Sequence, residues 1–289
     1  MLTFSMLRPK VISVGLALLI SACAAAPQPE VTTVPPHDNL NAALWMQNSV
    51  EYRASAAAAY ALARQRLEQA LADKTWTAAP EEQTGNFQNL PPAVVMDLDE
   101  TALDNSAYQS WMVLNNQTFN PKTWTQFVNA EISTPVEGAV DFVIYAESRG
   151  VKVFYVTNRT AEEEPATRRL MKRFGFPVDG PVDTLLTARE RPEWGSAKST
   201  RRAYIAKDYR ILLNIGDNFG DFSDAYRGSM ADRQKVYEDN RQRWGREWIM
   251  LPNPSYGSFE SAPFGHNYKL SADEQRAAKR SALKAWSGQ

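Results

Sequence analysis

Apolar residues fall into short runs along the chain, each bounded by polar or turn-forming residues, and the runs differ in kind. Positions 11–20 form a mostly apolar run, preceded by Arg8 and Lys10 and followed by Ser21, Ala22 and Cys23. Such a stretch is too short to span a bilayer as a helix. A basic start, a short apolar middle and small residues at the end have the layout of a secretory signal, here over 1–22. Residues 23–38 carry Pro27, Pro29, Pro35 and Pro36 among small residues and read as an extended tether. From 39 to 73 the chain is almost free of breakers and rich in Ala, Leu, Arg, Gln and Glu, which predicts one or two helices. Residues 74–92 are polar, with Pro80, Gly85, Pro91 and Pro92, and read as a loop.

Beyond this loop the pattern changes. Short apolar runs at 93–96, 151–156 and 211–215 alternate with stretches at 140–148, 162–174 and 196–207 that suit helices, and Leu185 and Leu186 suggest one further short strand. Short continuous apolar runs suit strands buried on both faces. Their alternation with helices predicts an α/β fold with a doubly wound, mostly parallel sheet. A last helix begins near Ser271, where Ser271 and Glu274 fit a capping box. The expected organisation is a core over 90–254 and a smaller helical domain built from 39–89 and 255–289.

Composition narrows the chemistry. In 289 residues, 32 Lys and Arg against 33 Asp and Glu leave a formal charge of −1, which argues against a nucleic-acid polymer as partner. Cys23 is the single cysteine and His37 and His266 are the two histidines. No intramolecular disulfide can form, and a Cys- or His-ligated zinc site has too few ligands. Enzymatic chemistry in this chain is therefore expected to be carboxylate and metal chemistry. His266 is expected to be structural.

Each of the three strong strands runs into a small polar cluster: Asp97-Leu98-Asp99-Glu100-Thr101, Thr157-Asn158-Arg159 and Gly216-Asp217-Asn218. In open α/β sheets ligands bind just outside the carboxyl ends of the strands, so the three clusters are expected to converge. Lys198 lies between the second and third, near a helix start, and its alternative is a solvated position beside Arg201 and Arg202. Asp-x-Asp-x-Thr, a Thr after a strand, a Lys, then Gly-Asp-x-x-x-Asp resembles the haloacid dehalogenase superfamily of phosphotransferases. More narrowly, the chain resembles the lipoprotein e family of bacterial acid phosphatases and 5′-nucleotidases, the class C type. That likeness rests on the segments 94–101 and 103–105, on Tyr155-Val156-Thr157-Asn158-Arg159, on Gly216-Asp217-Asn218 with Asp221-Phe222, on Leu251-Pro252-Asn253-Pro254 with Tyr256-Gly257, and on Trp45-Met46-Gln47-Asn48-Ser49 with Glu51-Tyr52. Two positions depart from the family pattern: Gly195, near which a further Lys is usual, and Gly220, where an acidic residue is common.

A phosphomonoester site must neutralise phosphoryl charge, supply a nucleophile and protonate the leaving oxygen. Asp97 is placed to attack and form an aspartyl-phosphate. Asp99 would protonate the leaving group and then activate water. Mg²⁺ suits hard oxygen ligands, which Asp97, the carbonyl of Asp99 and Asp217 could supply. Thr157 would donate to a phosphoryl oxygen, Lys198 would add positive charge, and Asp221 would orient Lys198 or a metal-bound water. Asn158 could touch phosphate or hold its loop, and Glu100 is expected at solvent or at a cap. By resemblance, Trp124 and Tyr256 occupy places where the family stacks a nucleobase, which implies nucleoside monophosphates as substrates. The alternatives are a phosphotransferase, a sugar-phosphate phosphatase on the same site, and a non-catalytic envelope-binding lipoprotein.

Ile20-Ser21-Ala22-Cys23 resembles the bacterial lipobox, which implies lipidation at Cys23 and a lipid anchor. Position 24 is Ala, not the Asp of an inner-membrane retention signal, so the outer membrane, facing the periplasm, is the expected location. Whether the chain forms a homodimer is left open by the sequence.

Overall fold

The computed structural model describes residues 36–288. The signal and lipobox expectations, including Cys23, lie outside these residues, as does most of the tether. Two helices open the described part, α1 (Leu40–Asn48) and α2 (Val50–Ala72), separated by Ser49, whose hydroxyl caps α2 by accepting from the Tyr52 N–H at 3.0 Å. After the loop come β1 (Pro92–Met96), β2 (Leu103–Asp104), α3 (Ser106–Leu114), α4 (Pro121–Asn129), β3 (Thr134–Pro135) and α5 (Ala139–Ser148). Then follow β4 (Lys152–Thr160), α6 (Glu164–Arg173), β5 (Leu185–Ala188), α7 (Ser199–Ala206) and β6 (Arg210–Gly216). The chain closes with α8 (Met230–Asp239), β7 (Trp248–Met250), α9 (Ser258–Ser261) and α10 (Ala272–Ser281). The capping box at Ser271 is present, its hydroxyl accepting from the Glu274 N–H.

Among the described residues, β5-β4-β1-β6-β7 form one parallel sheet, and β2 and β3 form a small antiparallel pair. The alternation along β1 shows why its run is apolar throughout. Val94 and Met96 enter one hydrophobic cluster with α2 and α5, while Ala93 and Val95 enter the other with Trp194, Ile205 and Phe222. Both faces are covered, so no polar face is needed. Successive strands spread one way from β1 through β4 to β5 and the other way through β6 to β7. The strand order therefore reverses at β1, which puts the crevice of a doubly wound sheet at its carboxyl end.

The smaller helical domain expected from both chain ends does not separate. The described residues, 36–288, form one compact unit. Ala56, Tyr60, Ala63, Leu67 and Ala70 of α2 belong to the cluster that covers the sheet, because a helix with so many small residues can lie close against it. The Tyr60 hydroxyl donates to the Thr101 carbonyl at 2.7 Å, so α2 also holds the turn after β1. At the other end, α10 meets the segment just before α1 through an exposed ion pair, Arg276 with Asp38.

Candidate active site

Register brings the strand ends level. Met96 pairs with Tyr155 on β4 and with Ile215 on β6, and the Asp97 N–H donates to the Ile215 carbonyl at 2.8 Å. Asp97 therefore leaves the sheet between Thr157 and Asp217, as the sequence reading expects. The second cluster differs in detail. β4 continues through Thr157, Asn158 and Arg159, so these residues alternate in direction: Thr157 and Arg159 are buried and Asn158 is exposed.

Asp97, Asp217 and Asp221 each bring a carboxylate oxygen within 4.8 Å of the others. Asp217 is fixed on both oxygens, by the Thr101 hydroxyl at 3.0 Å and the Asn253 amide at 2.8 Å. Asp221 accepts from the Asn218 N–H at 2.9 Å. It lies so close to Gly216 that a Cβ there would strike the Asp221 side chain, Cβ included. Lys198 is the residue just before α7, only 5% exposed, and its ammonium meets Asp97 and, at 2.7 Å, Asp221. The reading of Lys198 as a solvated helix residue is thereby excluded. Arg201 and Arg202, its neighbours on α7, are buried as well. Arg201 ties β4 to the loop before Lys198 through the Thr157 carbonyl, Asn158 Oδ1 at 2.8 Å and the Gly195 carbonyl at 3.0 Å. Arg202 pairs with Glu82 at 2.9 Å and donates to the Asp221 carbonyl at 3.0 Å.

The acids repel one another in a dry setting. Burial pushes Asp97 up; Lys198 pulls it back and Asp221 and Asp99 push it further, leaving it at about 6. Asp217 is raised well above the carboxylate range by burial, then by Asp221 and Asp97. Burial alone would pull the Lys198 ammonium down, but Asp221 and Asp97 outweigh it and hold it above the usual lysine value. Clustered carboxylates whose ionisation is this costly are a donor set of hard oxygens that a divalent cation would relieve, and they fit Mg²⁺ in chemistry. The Asp99 carboxylate is not in this trio; it faces the other way.

Asp99 Oδ1 accepts from Arg159 Nε at 2.9 Å, from Arg159 Nη2 at 2.8 Å and from the Asn105 amide at 2.9 Å. Its Oδ2 meets only the Thr157 hydroxyl, at 3.4 Å. Arg159 and Asn105 stand in the motif segments, yet sequence reasoning gave them no role, because nothing in their spacing shows which carboxylate they would hold. Asn158 sends its amide to the Ser196 carbonyl at 3.2 Å, so its described contacts are those of a loop brace.

Trp124 is half-buried, packed on Tyr108, Phe119 and Phe127, with the Arg159 guanidinium 5.6 Å from its ring centre. The Tyr256 hydroxyl donates to Glu100. Trp124 thus reaches Asp99 through Arg159, and Tyr256 reaches Glu100, the residue that follows Asp99. Of the two places expected for Glu100, solvent is excluded, because the residue is fully buried; it is at a helix start, accepting from the Asn105 N–H at 2.9 Å where α3 begins. His266 is structural as expected, its ring bonded to Ser261 at 2.7 Å and to the Gly228 carbonyl at 3.3 Å.

A parallel sheet with a lysine-bridged acidic cluster at its switch point defines a phosphotransfer site of the haloacid dehalogenase kind. Residues 12–259 match the model of the HAD superfamily, subfamily IIIB (acid phosphatase). The structure is similar to the class C acid phosphatase from Bacillus anthracis at 31% identity and a TM-score of 0.76, covering 86% of this chain and 97% of that one. The tungstate-bound structure of that enzyme matches with the same values. The chain belongs to the subfamily IIIB acid phosphatases of the HAD superfamily, and it is a phosphoric monoester hydrolase.

Proposed function

We propose that the chain is a Mg²⁺-dependent acid phosphatase and 5′-nucleotidase that works through an aspartyl-phosphate on Asp97. The observation that carries this reading is the division of the two carboxylates. Asp97 is bound to the lysine of the acidic cluster, and Asp99 is bound to an arginine outside it. A nucleophile benefits from a neighbouring cation that offsets phosphoryl charge, and Lys198 stands there. An acid–base group must keep one oxygen free for the proton, and Asp99 Oδ2 is that oxygen. Thr157, fully buried beside Asp99, offers its hydroxyl to a phosphoryl oxygen. Mg²⁺, held by Asp97, Asp217 and the Asp99 carbonyl, would offset phosphoryl charge. Asp221 keeps Lys198 in place, the first of the two roles the sequence allows it.

Nucleoside monophosphates are the substrate class because Trp124 and Tyr256 offer two rings beside the carboxylate pair. Sugar phosphates would call for polar contacts there. The lipobox at Cys23 supports a lipid-anchored enzyme of the outer membrane facing the periplasm, where the substrates would be extracytoplasmic nucleotides.

The test is a panel of nucleoside monophosphates, sugar phosphates and small alkyl phosphates, assayed with and without EDTA, for wild type and Asp97→Asn. Activity lost to EDTA and restored by Mg²⁺, highest on nucleotides and absent in Asp97→Asn, is the expected result. Turnover by folded Asp97→Asn within tenfold of wild type, after deamidation is checked, would remove the nucleophile assignment. Indifference to EDTA would remove the metal.

A further inference from the structure

Glu100 is a buried acid between the two site aspartates and the rest of the fold, and the proposed chemistry does not use it. Its backbone is left-handed, φ 59°, a conformation that costs a residue other than glycine about 1–3 kcal/mol and persists only where surroundings over-determine it. Those surroundings are specific. One Glu100 oxygen accepts the Asn105 N–H at 2.9 Å; the other receives the Tyr256 hydroxyl and, at 3.4 Å, the Asn105 amide. Asn105 stands at the N-cap of α3, but its side chain does not cap the helix. Its amide nitrogen donates to Asp99, and its oxygen accepts from Ser133 at 2.6 Å and from Arg159 at 3.2 Å. Arginine can only donate and a carboxylate can only accept, so the amide orientation is unambiguous.

The chain of contacts runs Tyr256–Glu100–Asn105–Asp99. We propose that Glu100 is a positioning residue for the acid–base step, holding Asn105 so that Asp99 Oδ1 stays anchored and its Oδ2 faces the leaving oxygen, with the Tyr256 hydroxyl fixing Glu100 from the substrate side. The inference rests on Asp99 acting as the acid. It also gives Tyr256 a second duty, separable from stacking, because the ring would touch a base and the hydroxyl serves the carboxylate.

A general acid matters most when the leaving group is a poor one, so the readout is leaving-group dependence. We compare kcat/KM, which reports phosphorylation of Asp97, for an alkyl phosphate and for 2,4-dinitrophenyl phosphate, whose phenolate leaves without a proton. Glu100→Ala should lower kcat/KM on the alkyl ester by about 10- to 100-fold, the range of a small misplacement of a catalytic group. That loss should exceed the loss on the dinitrophenyl ester at least tenfold. Glu100→Gln, which keeps an acceptor for the Asn105 N–H, should recover most of it. If Glu100→Ala does not fold, Tyr256→Phe, which keeps the ring, should show the same bias at about threefold. Equal losses on both esters, or none, would overturn the proposal. Asp99→Asn is the control. If it shows no leaving-group bias, the acid assignment itself fails and this inference with it; if it shows the bias and the Glu100 and Tyr256 variants do not, only the positioning role fails.

Discussion

Lys198→Met tests how far the acidic cluster depends on one ammonium. Methionine nearly keeps the length of the side chain, so the perturbation is chiefly of charge. It leaves Asp97, Asp217 and Asp221, with oxygens within 4.8 Å of one another, without their buried lysine. At an effective dielectric of about 20, two unit charges about 4 Å apart interact by about 4 kcal/mol, and breaking a buried pair by removing one partner costs about 3–5 kcal/mol. At about 2–4 °C per kcal/mol for a domain of this size, Tm should fall by about 6–20 °C. The assay is thermal unfolding in EDTA at pH 8 and pH 5, repeated with Mg²⁺. The pH sign follows from Asp97, whose carboxyl stands at about 6 in the fold against 3.8 ordinarily. The native state keeps a proton that the unfolded chain gives up, so this group's contribution to stability is present at low pH and lost as pH rises from about 4 through about 6. Lysine pulls Asp97 down, so its removal carries the window upward and steepens the fall. The variant should therefore lose most at pH 8 and less at pH 5, and Mg²⁺ should return part of the loss at pH 8. A Tm within about 2 °C of wild type at pH 8 in EDTA, or a larger loss at pH 5 than at pH 8, would refute the reasoning.

Trp124→Ala or Tyr256→Ala should lower kcat/KM for a nucleoside monophosphate more than for a small alkyl phosphate, the difference being the stacking of about 1–3 kcal/mol per base, or about 5- to 100-fold; equal losses on both would mean that the rings shape the site without binding a base. Gly216→Ala should displace Asp221 and with it Lys198, lowering both activity and Mg²⁺ affinity at least tenfold, and wild-type kinetics in this variant would show that the close approach is dispensable. Cys23→Ser should abolish acylation and move the protein from the membrane to the soluble fraction with kcat unchanged; wild-type protein that carries no acyl mass would exclude the anchor.

The strands of the sheet were legible where apolar runs are buried on both faces and turn or polar residues bound them closely. β7, only Trp248–Met250, lies in a comparable apolar run, Trp248 to Leu251, but Pro252 and Pro254 follow at once and give that segment the look of a loop. The stretch that holds α3 and α4 was not read either, although Asn120 and Pro121 mark the start of α4, where the Asn120 side chain accepts from the Lys122 N–H at 2.9 Å. The acidic cluster could be read because its members sit at strand ends, where topology alone brings them together. What holds them could not. Arg159, Arg201 and Arg202 look like surface charge in a sequence, and only the fold shows them buried against carbonyls and carboxylates. The place of α2 was missed for a related reason: its alanines are helix formers in any setting, and their close packing on the sheet is a tertiary fact.

Asp97 and Asp99 are separated by one residue and share one chemistry, yet the fold makes their two oxygens unequal in the same way. In Asp97, Oδ1 takes the Lys198 ammonium, while Oδ2 has only the Thr101 hydroxyl at 3.4 Å. In Asp99, Oδ1 takes three donors, while Oδ2 has only the Thr157 hydroxyl, also at 3.4 Å. An oxygen crowded with donors is stabilised as an anion and is a poor site for a proton or a new bond. On the proposed reading, the loosely held oxygen of each residue is the one left to react, with phosphorus at Asp97 and with the leaving-group proton at Asp99. The anchored oxygens differ in what holds them: a single lysine point charge that also serves the acidic cluster, against a planar guanidinium locked by Thr167 at 3.0 Å and by Asn105. A point charge tolerates the charge and position changes of an attacking carboxylate, whereas a fork in fixed geometry keeps an acid aimed through both halves of a reaction. The proposed division into nucleophile and acid therefore rests on the partners of the two carboxylates as well as on their order in the chain.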